Sequence, residues 1–219
     1  MAAGQGFAPY EGLARALLPQ AGIGDDGAHD LGHLKRVWTN AFAIAARQGG
    51  DGELIAAAVL LHDCVAVEKN SPLRSKASML AAERAAEILA AHGWPADRVA
   101  AVRHAVAAHS FSAGITPETI EARVLQDADR LDAIGMIGIA RCFYTAGRMG
   151  SSLYDPVDPR AEHRPLNDGA YALDHFRAKL LKLKDGFQTE TGAAIAAERT
   201  RRIAEFVVLF EQEIGAIEG

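Results

Sequence analysis

Apolar residues recur every three to four positions along most of the chain, the spacing that places them on one face of an α-helix. One short segment shows the pattern with Leu54, Ala57, Ala58 and Leu61. Asp51 precedes this segment and is a good N-cap, and the glycine pair before it suits the end of the previous helix. No segment clearly alternates apolar and polar residues with a period of two, so we expect no β-strand. The pattern therefore predicts an all-α fold.

Capping and breaking residues set the expected helix boundaries. Pro95 and Pro117 suit the first turn of a helix, whereas Gly93 ends one. We expect helices over residues 10–18, 29–48, 51–63, 75–92, 95–109, 116–148, 168–184 and 190–217. Three prolines among charged residues exclude a helix over 151–168, which we expect to be an ordered loop or a lid.

The chain shows no internal repeat and no low-complexity linker. We therefore expect a single domain over residues 1–219, with a helical-bundle core over about 25–150 and a C-terminal lid and helices over about 151–219. The 44 alanines among 219 residues favour helices that pack closely.

Charge and apolar content exclude several classes of protein. Lysine and arginine number 23 against 28 aspartates and glutamates, giving a net charge of −5, whereas a general nucleic-acid binder is basic. The longest apolar run is far shorter than the roughly 20 residues that cross a bilayer. We expect no secretory signal, and the two cysteines provide no disulfide framework. We therefore expect a cytoplasmic protein.

Polar residues that suit metal chemistry occur in four places. These are the segment H-D-L-G-H-L-K-R-V at 29–37, the pair His62 and Asp63, the pair His104 and His109, and the run D-A-D-R-L-D at 127–132. Consecutive helical residues point about 100° apart, so His62 and Asp63 could both contact one octahedral ion. One further histidine and one aspartate would complete a nitrogen and oxygen site, which suits Mn, Fe, Co, Ni or Mg and leaves about two positions for water and substrate.

Each of these features also has an ordinary structural reading. A histidine and an aspartate at a helix end can simply cap it. In the acidic run, the apolar stripe lies nearest Asp132, so we expect this residue to be buried and partnered. Asp127 and Asp129 flank the stripe on opposite sides, and geometry alone leaves open which of them is a ligand.

The order of these motifs resembles the HD-domain metal-dependent phosphohydrolases, in which H, then HD, then D follow one another along a helical bundle. The resemblance extends over roughly residues 25–185 and is closest to the YpgQ/YedJ-like subgroup, on strings such as A-H-D-L-G-H-L-K-R-V-W, L-H-D-C-V-A-V-E-K-N-S-P-L-R-S and Q-D-A-D-R-L-D-A-I-G. It implies an HD-domain fold with additional C-terminal helices. It also implies one divalent metal ion, held by His33, His62, Asp63 and Asp129.

Cations near the expected metal are candidates for contacts with phosphate. Lys69 and Arg74 follow the His-Asp pair closely, and Arg130 follows Asp129 directly. Lys69 is the first choice and, together with Asp63, is a candidate catalytic residue. Each of the three cations could instead be a surface charge, and Arg130 could pair with Asp127 or Glu118.

His104 and His109 are further candidate catalytic residues. The resemblance places them near the pocket, because related HD enzymes use extra histidines in this region to bind a second metal or phosphate. Both could instead be structural. A general acid or base could come from His29, Asp30 or Glu68, which the sequence does not rank.

A helix over 168–184 would place four further candidate substrate-binding residues on one face: Tyr171, His175, Lys179 and Lys182. A tyrosine can stack on a base and lysines can bind phosphate, although a solvated cationic face is an ordinary alternative. The proline-rich segment before this helix, with Arg160, His163 and Arg164, is the candidate lid that substrate would order.

The resemblance implies hydrolysis of (deoxy)nucleoside triphosphates to monophosphate and pyrophosphate, with metal-activated water as the nucleophile. The same ligands would serve a nucleoside monophosphate phosphatase or a phosphodiesterase. A sensor that binds nucleotide or metal without turnover is the non-enzyme alternative. We expect a small nucleotide as the partner, with neither a nucleic-acid polymer nor a membrane.

Overall fold

The computed structural model describes residues 4–24, 30–67, 76–110 and 113–217. The helices are α1 Glu11–Leu17, α2 Leu31–Gln48, α3 Gly52–Leu61, α4 Ala77–Ala91, α5 Ala96–Ala108, α6 Ile120–Asp132, α7 Gly135–Met149, α8 Ala172–Ala178 and α9 Glu190–Glu213. Within these ranges there is no β-strand, and a single isolated bridge joins Ser152 and Tyr171. The predicted all-α fold is confirmed.

The chain forms two compact units, Met1–Asp129 and Arg130–Gly219. In the first unit, α3 is the central helix, and every residue from Ile55 to Leu61 is buried. Helices α1, α2, α4 and α5 all pack against it. A helix that is apolar on all sides needs such complete coverage, and this fixes the position of the residues that follow its C-terminus.

Charged residues hold the N-terminus of α3. The Asp51 carboxylate caps the helix by accepting hydrogen bonds from the backbone N–H groups of Glu53 and Leu54. The Arg98 guanidinium of α5 donates to the same carboxylate at 2.8 Å. Glu121 of α6 accepts from the Asp51 N–H at 2.9 Å. One end of α3 is thus tied to two other helices of this unit.

In the second unit, α7 and α9 pack together, and both contact α8. Four phenylalanines meet at this junction with ring centroids 5.5 to 5.9 Å apart. They are Phe143, Phe176, Phe206 and Phe210. These rings form the aromatic part of the core of this unit.

The prediction of one helix over 116–148 is wrong, because the chain breaks between α6 and α7. Ile134 is extended, with φ −128° and ψ 169°, and Gly135 has a φ of +75°. Gly138 lies so close to the preceding turn that a Cβ there would be 2.3 Å from the Ala133 carbonyl oxygen. Helix α6 also begins later than predicted: the Thr119 hydroxyl, and not that of Thr116, accepts an N–H of its first turn.

The prediction of one helix over 168–184 is also wrong. Tyr171 is extended and precedes α8, and Lys179 leaves helical geometry with φ −135°. A short 3₁₀ turn, Leu180–Lys182, follows. The expected common face of Tyr171, His175, Lys179 and Lys182 therefore does not form, because only His175 belongs to α8.

The predicted loop between α7 and α8 is confirmed, and its own residues order it. The Arg164 guanidinium pairs with the carboxylates of Asp155 and Asp174 and lies 4.7 Å from the centre of the Tyr171 ring. Asp174 is fully buried and also accepts the Asn167 N–H at 2.7 Å. These contacts tie the segment to α8, and its role as a lid over substrate stays a prediction.

No helix in the described part of the chain has both the length and the apolar content that a bilayer crossing requires.

Candidate metal centre

His62 and Asp63 lie at the C-terminus of α3, where the helix ends in a turn. The Nδ1–H of His62 donates to the Val59 carbonyl oxygen at 2.8 Å. This hydrogen bond fixes the ring and makes Nε2 the nitrogen that would bind a metal. The His62 side chain is only 1% exposed, whereas the Asp63 side chain is 44% exposed. The turn thus presents one buried nitrogen beside one accessible carboxylate.

His33 comes from the first turn of α2. Asp30 caps this helix, and its carboxylate accepts the backbone N–H of His33 at 2.8 Å. The Nε2 atoms of His33 and His62 are 3.3 Å apart. Two imidazole nitrogens that converge on one point are typical of a metal site.

Asp129 lies on α6 and completes the cluster. Its Oδ1 is 3.5 Å from Nε2 of His33 and 3.8 Å from Nε2 of His62. One ligand atom from each of the three residues lies within 4.8 Å of the others. Asp127, the alternative that geometry left open, is fully buried and does not belong to this group.

Asp63 borders the same cluster on its exposed side. Its Oδ2 is 3.4 Å from Nε2 of His62 and 3.9 Å from Nε2 of His33. Its Oδ1 is 3.7 Å from Nε2 of His109. The carboxylate therefore lies near both the cluster and a third histidine.

His109 is built in the same way as His62. It follows the last residue of α5, and its Nδ1–H donates to the Val106 carbonyl oxygen at 2.6 Å. Its ring lies edge-on to the His62 ring, with centroids 5.1 Å apart. Burial lowers the pKa of His109, and the neighbouring His62 lowers it further, so the neutral ring is favoured. Its Nε2 is thus an acceptor.

The donor set fits a divalent cation. Two imidazole nitrogens and a carboxylate oxygen converge, and a second carboxylate is adjacent. Helices α3 and α5 end at His62 and His109, so the negative ends of both helix dipoles lie at this site and favour a cation. Burial raises the pKa of the neighbouring Cys64 thiol to about 11, which disfavours its thiolate form at neutral pH. This nitrogen and oxygen set suits Mn, Fe, Co, Ni or Mg.

Two buried carboxamides support the site, and sequence patterns did not single them out. Asn40 of α2 donates to the Ala128 carbonyl oxygen at 3.0 Å, next to Asp129. Gln126 of α6 donates to the Ala108 carbonyl oxygen at 2.7 Å, next to His109. A polar residue on the buried face of a predicted helix is the only sequence signal for such a role.

The structure does not place His104 in the cluster. Its Nε2 accepts the backbone N–H of Glu118 at 3.0 Å, which links α5 to the segment before α6. The candidate residues Lys69, Arg74, His29 and Glu68 lie outside the described residues. Asp30 caps α2 through the hydrogen bond to His33, and its role as a general base stays a prediction.

Arg130 and Asp132 both have partners in the second unit. Arg130 donates to the backbone carbonyls of Leu183 and Asp185 at 3.0 and 2.7 Å. Asp132 is 1% exposed and pairs with Arg141 at 2.6 Å, so its expected burial and pairing are confirmed. A substrate contact by Arg130 stays a prediction.

The remaining candidate substrate-binding residues lie around α8. The Tyr171 ring stacks with the Arg164 guanidinium, and its hydroxyl bonds to Asp155. His175 Nδ1 is 3.1 Å from the Asp168 carboxylate. Lys179 is exposed, and Lys182 lies in the 3₁₀ turn.

Comparison with known proteins defines the class. Residues 30–134 match the HD domain family. The protein YpgQ of Bacillus subtilis is 33% identical over 198 residues, which cover 89% of this chain and 88% of YpgQ. The chain therefore belongs to the HD-domain family, and its resemblance to the YpgQ-like subgroup is confirmed.

Solved structures agree with this assignment. An HD-superfamily hydrolase from Bacillus thuringiensis matches with a TM-score of 0.67 at 32% identity, covering 86% of this chain and 88% of that chain. The structure of YpgQ in complex with ADP matches with a TM-score of 0.67 at 28% identity, covering 90% of this chain and 96% of that chain. The chain thus has the fold of the HD-superfamily hydrolases, a family whose domains bind a divalent metal.

Proposed function

We propose that this protein is a divalent-metal-dependent phosphohydrolase that acts on small nucleotides. The observation that carries the proposal is the convergence of His33, His62 and Asp129 within 4.8 Å, with the Asp63 carboxylate beside them. The three come from α2, the end of α3 and α6, so one ion would join three elements of the first unit.

In this proposal His33, His62, Asp63 and Asp129 hold the metal. The bound ion would lower the pKa of a water ligand and polarise a phosphoryl oxygen. Asp63 has the most exposed side chain of these four ligands, so water and substrate would enter on its side of the cluster. In this proposal His109, a neutral acceptor 3.7 Å from Asp63, receives a proton from the attacking water.

The proposed reaction is the hydrolysis of (deoxy)nucleoside triphosphates to monophosphate and pyrophosphate. Support comes from the relative YpgQ, whose structure was solved with ADP. Phosphoryl transfer needs positioning and charge neutralisation above all, which a metal ion and nearby cations supply. Lys69 and Arg74 are the proposed phosphate contacts, and Tyr171, His175, Lys179 and Lys182 are further candidates.

A nucleotide panel tests the proposal. Mono-, di- and triphosphates are incubated with the protein and Mn²⁺, Ni²⁺, Co²⁺, Fe²⁺ or Mg²⁺, and phosphate and pyrophosphate are quantified separately. We expect pyrophosphate from triphosphates. Orthophosphate from a monophosphate would instead identify a phosphatase, and saturable binding without turnover under every metal would identify a sensor.

Variants connect this activity to the cluster. We expect His62→Ala and Asp63→Ala to lower turnover by about 1,000-fold, because the metal contributes several kcal/mol to such reactions. His92→Ala is the matched control, since His92 also follows the last residue of a helix but is exposed. Turnover that survives the loss of both His62 and Asp63 would refute the metal assignment.

A further inference from the structure

Gly22 lies against the backbone of the turn that carries Asp63. A Cβ built on Gly22 would be 2.9 Å from the carbonyl carbon and oxygen of Cys64 and 3.0 Å from the Asp63 carbonyl oxygen. Real Cβ atoms essentially never lie closer than 3.0 Å to such atoms, so the Cys64 carbonyl group would have to shift. Gly22 also has a φ of +64°, a backbone conformation in which glycine is favoured.

The atoms that a side chain would meet all belong to the main chain. A side chain can rotate away from an intruding methyl group, whereas a peptide group can move only with the chain on either side of it. The turn that carries these carbonyl groups is held by the Cys64 N–H, which donates to the Leu61 carbonyl oxygen at 3.2 Å, and by the Cys64 thiol, which donates to the Ala81 carbonyl oxygen at 3.4 Å. The 21–22 segment is anchored in turn by Ala21, which is buried.

We propose that Gly22 is a positioning residue for Asp63. The absence of a side chain lets the chain at Gly22 pack against the carbonyl groups of Asp63 and Cys64 and hold this turn in place. This turn thereby positions the Asp63 carboxylate 3.4 Å from Nε2 of His62. The inference rests on the proposed function, because it gives Asp63 the role of a metal ligand.

The chain offers a control that separates this contact from backbone strain. Gly114 has nearly the same φ, +67°, yet a Cβ there would meet no atom within 4 Å among the described residues. Gly22→Ala and Gly114→Ala thus share the strain of a left-handed alanine, and only Gly22→Ala adds a clash beside Asp63. Gly22→Asn is a second variant, because asparagine tolerates this conformation better than alanine while still carrying a Cβ.

The test is Mn²⁺ binding by isothermal titration calorimetry on the full chain, with thermal unfolding and circular dichroism as checks of the fold. We expect Gly22→Ala and Gly22→Asn to weaken Mn²⁺ binding by about tenfold or more, the range typical of residues that orient metal ligands. Gly114→Ala should unfold at a lower temperature but bind Mn²⁺ as the wild type does. Should Gly22→Ala fail to fold, Gly22→Asn carries the measurement.

Two results would overturn the inference, and they differ in what else they affect. If the wild type binds Mn²⁺ and the Gly22 and Gly114 variants bind it with the same affinity, the role of Gly22 is refuted and the metal site stands. Absence of Mn²⁺ binding by the wild type would refute the proposed function and this inference with it.

Discussion

Three histidines of the first unit occupy the same local position, directly after the last residue of a helix. His62 follows α3, His92 follows α4 and His109 follows α5. His62 and His109 each donate Nδ1–H to the carbonyl oxygen three residues earlier, and their rings meet at the cluster. His92 is exposed and contacts Gln20 instead. The local position is therefore shared, and the packing of the helices decides which rings can act.

His109→Ala tests whether the third ring acts in turnover or holds the metal. We expect kcat to fall by about 100-fold, the usual contribution of a positioned general base, while the affinity for Mn²⁺ changes little. Steady-state kinetics and calorimetric titration on the same preparation measure the two quantities. His92→Ala is the control and should leave both unchanged. A loss of Mn²⁺ affinity as large as that of His62→Ala would make His109 a ligand.

Residue patterns predicted part of this arrangement. The motif order indicated His33, His62, Asp63 and Asp129 through a family resemblance, and the structure brings His33, His62 and Asp129 together. Spacing alone left Asp127 and Asp129 equivalent, because both flank the same apolar stripe. Only the position of α6 relative to α2 and α3 distinguishes a carboxylate near two imidazoles from one that is fully buried.

At the scale of helices, hydrophobic periodicity found most elements but missed two interruptions. The break before α7 had a signal, since Gly135 and Gly138 lie inside an otherwise helical pattern. The break at Lys179 had none, because lysine is a good helix former and no glycine or proline lies near it. The backbone leaves helical geometry at Lys179 all the same, so a helical wheel drawn through Lys179 and Lys182 was wrong.

Asn40 of α2 joins this helix to α6 through its hydrogen bond to the Ala128 carbonyl oxygen. We expect Asn40→Ala to lower the free energy of unfolding by about 2 kcal/mol, because the buried Ala128 carbonyl loses a donor and a small cavity forms. Urea denaturation with EDTA present measures this effect without the contribution of bound metal. Thr39→Ala on the same helix is exposed and should change the free energy by less than about 0.5 kcal/mol. Equal effects of the two variants would contradict a special role for the amide.

The pair of Asp51 and Arg98 at the N-terminus of α3 predicts that the free energy of unfolding depends on pH. The hydrogen bond from Arg98 holds the pKa of Asp51 below its usual value. A carboxylate with a lowered pKa stabilises the fold above its unfolded pKa, about 3.9, and this stabilisation is lost as the pH falls through the lower folded value. We expect Arg98→Met to lower the free energy of unfolding by about 1 kcal/mol or less at neutral pH, since the pair is partly exposed.

Urea denaturation from pH 7 to pH 3 with EDTA present checks this prediction. The difference between the wild type and Arg98→Met should shrink below about pH 4 as Asp51 takes up a proton. Arg84→Met is a suitable control, because Arg84 pairs with Glu87 on the exposed face of α4. A difference that stays constant over the whole range would assign the effect to packing of Arg98 on the Trp94 ring.

For the whole molecule, the proposed metal should appear as a gain in stability. Ligands that bind the folded chain and not the unfolded one raise the free energy of unfolding, by about 2.7 kcal/mol at a free concentration 100 times Kd. The His33, His62 and Asp129 donors come from three separate helices, so the unfolded chain cannot present them together. We therefore expect Mn²⁺ to raise the unfolding temperature and EDTA to lower it again.

The same measurement distinguishes this cluster from the other acidic groups of a chain that carries a net charge of −5. Weak binding of Mn²⁺ to scattered surface carboxylates would raise the unfolding temperature of every variant alike, and salt would screen it. Binding at the cluster should disappear in His62→Ala and Asp129→Asn, persist in His92→Ala, and resist moderate salt. An equal Mn²⁺ effect in all four proteins, the wild type included, would mean that the ion stabilises the chain from somewhere else.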